Sequence, residues 1–161
     1  FSLPATDGSV ISVGADASVP YRVVCFLGAE CPLANLYAPR LNRLATEFKD
    51  RGVRFIGINS NLQDSMPELA AYVKKHELVF PMVKDYDRAA ALGFGASRTP
   101  EVFVVDAAGV IRYQGRIDDQ YRPGLLRPNL ERQDLRIAMD QVLSGKRVPV
   151  ARTTATGCLI R

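Results

Sequence analysis

The chain has 161 residues, 47% hydrophobic and 24% charged, enough to bury one sizeable core in a single compact domain. No run of about 18 apolar residues occurs, so no segment meets the length requirement of a membrane-spanning helix. The net charge of +4 comes mostly from scattered arginines (Arg40, Arg43, Arg51, Arg54, Arg132, Arg136), without a block of like charge or a nucleic-acid motif; a solvated surface is expected and no nucleic-acid partner.

The sequence starts at Phe1 with no methionine and no charged-then-apolar leader, which predicts a processed form or a piece of something longer. Residues 1–20 hold short apolar stretches broken by Asp7-Gly8 and Gly14-Ala15-Asp16, as in a hairpin laid against a sheet edge. "YRVVCFL", residues 21–27, is apolar throughout, like a parallel-sheet strand buried on both faces, and carries Cys25 as a core residue. From Pro32 the apolar spacing becomes helical, with Leu33, Leu36, Leu41, Leu44, Ala45 and Phe48 on the buried face, Pro39 as a kink and Gly52 as the stop.

"VRFIGINS", residues 53–60, predicts a second buried strand, and Ser65 with Glu68 a capping box opening a helix to Glu77. Strand, helix, strand, helix implies a parallel pair with a right-handed crossover. Residues 78–84 read as a short extended piece and "DYDRAAALG" as a brief helix ended by Gly93. "EVFVVD", a turn at 107–109 and "VIRYQGRI" read as an antiparallel hairpin, followed by a turn at Asp118-Asp119. A loop with Pro123-Gly124 and Pro128 leads to an amphipathic helix from Leu130 to Leu143, and residues 146–161 read as a polar, irregular tail. The expected architecture is α/β, a three-layer sandwich with a mixed central sheet and helices on both faces.

Three cysteines, Cys25, Cys31 and Cys158, are too few and too widely spaced for a disulfide scaffold or a paired-ligand zinc site. The one histidine, His76, reads as a solvated helix-end residue; no metal and no cofactor are expected. Cys31 follows the carboxyl end of the first central strand and opens a helix, the crevice where open sheets place ligands. A thiol there feels the helix's positive end and unpaired amides, which favour the thiolate, whereas a buried hydrophobic role is the alternative. Glu30 is its neighbour, and a close carboxylate would raise the thiol's pKa, which makes Glu30 a candidate modulator. Cys158 lies in "TTATGCLI", where Gly157 gives the backbone freedom to approach another group. On a mobile tail it is a candidate resolving thiol, with a structural disulfide or a free thiol as alternatives. Tyr37, Tyr113 and Tyr121 fit either the crevice or the core.

Cys31-Pro32 opening a helix, Pro39 eight residues on and Arg98-Thr99-Pro100 before "EVFVVD" resemble the thioredoxin superfamily. "FSLPATDGSVISV" and "TPEVFVVDAAGVIRYQGRID" are similar to its redoxin branch, which includes peroxiredoxin-like (AhpC/TSA) antioxidant proteins and extracytoplasmic thiol-disulfide oxidoreductases. The resemblance spans residues 1–145 and implies a thioredoxin-like redoxin domain there, with 146–161 as a tail carrying Cys158. It implies Cys31 as attacking thiolate, a cis-Pro100 placing the Thr99 backbone beside it as a docking edge, and Arg98 lending charge to the thiolate. Two positions depart from the family patterns. Ala34 stands where C-x-x-C has its second cysteine, and Gly28 where peroxiredoxins have a threonine or serine. Asn35 likewise replaces the second cysteine of copper-carrying relatives. Some redoxin-like sequences without the second C-x-x-C cysteine are similar in having a late Gly-Cys, which implies Cys31 and Cys158 as a pair.

The expected activity is thiol-dependent oxidoreduction of a disulfide or small peroxide, recharged by a reducing partner protein. The alternative is a non-catalytic thioredoxin-fold module of a larger exported protein. An exported location is expected from the resemblance, with a cytoplasmic one left open.

Overall fold

The computed structural model describes residues 1–122 and 124–161, so Pro123 of the expected Pro-Gly loop lies outside the described residues. The chain opens with an antiparallel hairpin, β1 (Ser2–Pro4) and β2 (Val10–Ser12). It lies where the sequence placed it, against a sheet edge: Ala5 bridges Val83 and the Thr6 amide donates to Met82 O at 3.0 Å. Next come β3 (Tyr21–Phe26), α1 (Pro32–Lys49), β4 (Val53–Asn59), α2 (Met66–Lys75), β5 (Met82–Lys84) and α3 (Ala89–Phe94). Then follow β6 (Arg98–Thr99), β7 (Glu101–Asp106), β8 (Ile111–Gly115), β9 (Tyr121–Arg122), β10 (Leu125–Leu126), α4 (Asp134–Leu143) and β11 (Cys158–Leu159).

The central sheet has the order β5-β4-β3-β7-β8. β3 pairs in parallel with β4 and antiparallel with β7, so it lies at the middle of a mixed sheet. That position explains the unbroken apolar run, because Val23, Val24, Cys25 and Phe26 meet a packed layer on either face. One layer joins Leu41, Leu44 and Phe48 of α1, Leu69 of α2, and Leu135 and Met139 of α4 to Val23, Cys25 and Val104. The opposite layer joins Leu3, Val13, Ala90 and Ala91 to Val24, Phe26, Ile58 and Phe103. Each large apolar side chain withdrawn fully from water contributes roughly 1.5–3 kcal/mol, so these two layers carry the fold.

Local signals place most elements well and miss where tertiary contacts compete. The capping box forms, with Ser65 and Glu68 each holding the other's backbone amide. Leu36, expected on the buried face of α1, is 48% exposed and lines an open groove with Leu125 and Leu126. α3 runs past Gly93 to Phe94 and is capped by Gly95 at φ +73°, a conformation that glycine adopts at no steric cost. α4 starts at Asp134 and not Leu130, because the Asp119 carboxylate takes the amides of Glu131 (3.1 Å) and Arg132 (3.0 Å) and holds them outside the helix. The Asp118-Asp119 turn forms as expected, yet both carboxylates are buried.

The last residues are not loose. Thr153 N donates to Gln114 O at 3.0 Å, its hydroxyl accepts from Arg116 N at 3.0 Å, and β11 pairs antiparallel with β6. Residues 146–157 are irregular, as expected, but the end expected to be mobile is the strand β11, fastened beside the sheet. The tail's polarity supplied hydrogen-bond partners for the body, not solubility for a free end.

Candidate functional site

Cys31 is the N-cap of α1, with extended φ/ψ of −76° and 114°, and Pro32 takes the first helical position, where a missing amide costs nothing. The loop from β3 delivers it there because Cys31 N donates to Gly28 O at 3.2 Å and Ala29 N to Asp64 Oδ2 at 3.1 Å. The Thr99-Pro100 peptide is cis, as the sequence implied, and the Cys31 thiol donates to Thr99 O at 3.1 Å. The Thr99 hydroxyl, buried and otherwise without a partner, faces the same sulfur.

β11 brings the second thiol. Cys158 stands opposite Thr99 in the register and Leu159 opposite Arg98, which brings Cys158 to the same cavity as Cys31. Four contacts hold the strand: Arg98 Nη1 to Gly157 O (2.9 Å), Ile160 N to Ser97 O (3.0 Å), Arg161 N to Asn61 Oδ1 (3.2 Å) and Leu62 N to Arg161 O (2.6 Å). Gly157, at φ +147°, passes so close that a Cβ there would overlap the Thr99 carbonyl oxygen, so only glycine fits. Arg98 thus holds the tail by the Gly157 carbonyl.

Burial raises the Cys31 pKa, but hydrogen bonds from the Cys158 thiol, Thr99, and the amides of Ala34 and Cys158 outweigh it and set the thiol below its ordinary value of 9.0. Cys158 moves the opposite way, pushed up to about 11 by burial and by its bond to, and the charge on, Cys31. Alkylation of Cys31 is therefore expected to rise with pH around a midpoint below 9.0. In Cys158→Ala the donor is lost while burial remains, so the midpoint should move up; rate-against-pH curves with iodoacetamide check this, and an unmoved midpoint removes Cys158 from the thiolate's support.

A cavity of about 290 Å³ opens on both sulfurs, with Glu30, Asn61, Gln63 and Arg161 around it. Glu30 is exposed at its mouth. Beside it an apolar groove of about 590 Å³ touches Cys158 but not Cys31, lined by Leu36, Leu125 and Leu126 among others. Gly28 is tight: a Cβ there would stand 2.7 Å from Asn61 Nδ2 and 3.1 Å from Thr99 Oγ1, so those two groups crowd the position of any side chain at residue 28.

Reading the sequence missed the polar group behind Cys31. Asp64 Oδ2 accepts from Asn59 Nδ2 (2.6 Å) and Asn61 Nδ2 (3.2 Å) besides Ala29 N, and buried Lys84 donates to Asn59 Oδ1 (2.8 Å) and to Asn61 O. Its signal was "INSNLQDS", polar residues at the carboxyl end of a central strand, next to the same crevice. Elsewhere Cys25 is core, its thiol pushed up by complete burial. His76 is corrected from solvated to half-buried: its ring packs 4.5 Å from that of Tyr72, and burial pulls its pKa down. Tyr37 donates to Asp118 Oδ1 (2.6 Å) and meets Tyr121 edge to face, and Tyr113 meets Thr153, so these tyrosines serve packing. Among the described residues no group of three or more His, Cys, Asp or Glu side chains could hold a metal, and no helix is long and apolar enough to cross a membrane.

A mixed sheet with a cysteine at a helix N-terminus facing a cis-proline loop defines a redoxin of thioredoxin-like fold. Residues 1–114 match the AhpC/TSA family, and the chain belongs to that family. It is 36% identical over 93 residues, 56% of its own length and 49% of the other's, to the thiol:disulfide interchange protein DsbE of Allochromatium vinosum. The chain spans about half the length of several curated relatives it matches. A hypothetical protein of Sinorhizobium meliloti has a solved structure similar over 99% of this chain and 89% of that one, with TM-score 0.87 and 29% identity. A secreted Mycobacterium tuberculosis disulfide oxidoreductase homologous to Escherichia coli DsbE shares the fold over 69% of this chain and 79% of its own, with TM-score 0.60 and 21% identity.

Proposed function

We propose that the chain is a thiol-disulfide oxidoreductase whose redox centre is formed by Cys31 and Cys158 across two segments, and not within one helix turn. The observation that carries this is the placement of the two cysteines at one solvent-open cavity, with Cys158 opposite Thr99 in the β11–β6 register and the Cys31 thiol 3.1 Å from Thr99 O. The Cys31 thiolate attacks the electrophilic sulfur of a disulfide, or the oxygen of a small peroxide, and Cys158 resolves the product by attacking the Cys31 sulfur. Thr99 and Pro100 shape the Cys31 side of the site and Arg98 anchors the strand of Cys158.

A reducing partner protein then recharges the pair. Its thiolate attacks the exposed Cys158 sulfur, because Cys31, with the lower pKa, is the better leaving group. The relatives named for thiol:disulfide interchange support disulfide exchange as the reaction class. A pair that cycles through a disulfide suits an oxidising compartment, and we place the protein among exported redoxins. A domain whose cysteines only stabilise has no use for a lowered thiol at an open cavity.

Mild oxidation of the reduced protein, then alkylation and peptide mass mapping, tests the proposal. The expected product is a Cys31–Cys158 disulfide, reversed by dithiothreitol, with Cys25 left as a thiol. Recovery of both Cys31 and Cys158 as free thiols after oxidant treatment would remove the pair from the function.

A further inference from the structure

The edge of β6 lies beside Cys31, and the chain fills it with its own strand β11. Cys158 stands opposite Thr99, Arg98 Nη1 holds Gly157 O, and Ile160 N and Arg161 N are bonded farther along. Gly157 leaves no space even for a methyl group against Thr99, so a second strand has no room while the tail stays. Cys31 is itself only 4% exposed and is reached through the cavity of about 290 Å³, lined by Glu30, Asn61, Gln63 and Arg161 together with the apolar Leu159. That space admits a molecule of a few heavy atoms on either side of a sulfur–sulfur bond, and not a folded chain.

Resting on the reading of Cys31 as the attacking thiolate, we propose that residues 157–161 are a fixed occupant of the docking edge that restricts Cys31 to small, non-protein disulfides. The tail is then a specificity-determining segment as well as the carrier of the resolving thiol. The electrons balance within the thiol pair. Cys31 thiolate attacks one sulfur of RSSR, forming a Cys31–SR bond and releasing RS⁻. Cys158 gives up its proton and attacks the Cys31 sulfur, forming Cys31–Cys158 and releasing the second RS⁻. Two electrons pass from the pair to the small disulfide, which leaves as two thiols once protonated.

The test mixes the reduced protein with hydroxyethyl disulfide or with insulin, quenches with acid, alkylates, and follows loss of the Cys31 thiol by mass spectrometry. Both rates are divided by those of free dithiothreitol with the same disulfide. The normalised preference for hydroxyethyl disulfide is expected to be on the order of a hundredfold, and to shrink about tenfold or more in Gly157→Ala through a gain with insulin. A preference near unity in the native chain overturns the inference while leaving Cys31 as the attacking thiolate. So does a Gly157→Ala protein whose Cys158 alkylates faster, showing a displaced tail, but whose preference is unchanged. A Cys31 that reacts with neither disulfide overturns the thiolate reading, and this inference with it.

Discussion

Replacing Cys31 with serine is expected to lower turnover of disulfide and of small peroxide by at least about a thousandfold, leaving the fold intact. The serine hydroxyl fits where the thiol donates to Thr99 O, but its proton is held far more tightly than a thiol's. The hydrogen bonds that lower Cys31 then support no anion, and the nucleophile is lost. Cys25→Ser is the matched control. That thiol is fully buried in β3 and pushed up by burial, so its loss should change stability and leave turnover per folded molecule near that of the parent. Steady-state assays with each electron acceptor, alongside circular dichroism, decide the matter. Retained activity in Cys31→Ser would take the chemistry away from this sulfur.

Gly157→Ala is expected to slow formation of the Cys31–Cys158 disulfide by about tenfold or more and to destabilise the protein by about 1–3 kcal/mol. A methyl at residue 157 collides with a backbone carbonyl, that of Thr99, which cannot rotate aside as a side chain could. The backbone angle of +147° adds to the cost. Separation of β11 from β6 is the way out, and it carries Cys158 away from Cys31. Since the Cys158 thiol and amide both lower the Cys31 pKa, the Cys31 alkylation midpoint should rise in the same variant. Timed oxidation with peptide mapping gives the disulfide rate, and thermal unfolding gives the stability. Parent-like values for both would mean that the register of β11 is not what presents Cys158.

Much of the framework was legible because its signals are local. β3 shows as an apolar run since it is covered on both faces, and α2 starts where Ser65 and Glu68 satisfy each other's amides. The junction Cys31-Pro32 reads as a helix start from residue type alone, because proline at the first position needs no amide partner. The boundaries that slipped did so where a distant group intervened, as Asp119 does for α4 by holding residues 131 and 132. Leu36 kept the helical spacing of a core residue but faces the groove, since spacing says which side of a helix is apolar and not what covers it.

By itself, then, the sequence determined a mixed α/β sheet, a cysteine at the head of the first long helix, and the absence of a second cysteine three residues later. Burial periodicity and first-turn chemistry are properties of neighbouring residues. Only the tertiary structure brought Cys158 opposite Thr99 and to the cavity of Cys31, set Arg98 to hold Gly157 across 59 residues, and joined Asp64 and Lys84 to Asn61 beside that cavity. A two-residue strand has no periodicity to read, and a buried polar group is identified by partners that folding brings to it. Of the groups that lower the Cys31 pKa, Thr99 and Cys158 are far away in the chain and act only once folding has brought them to the Ala34 turn.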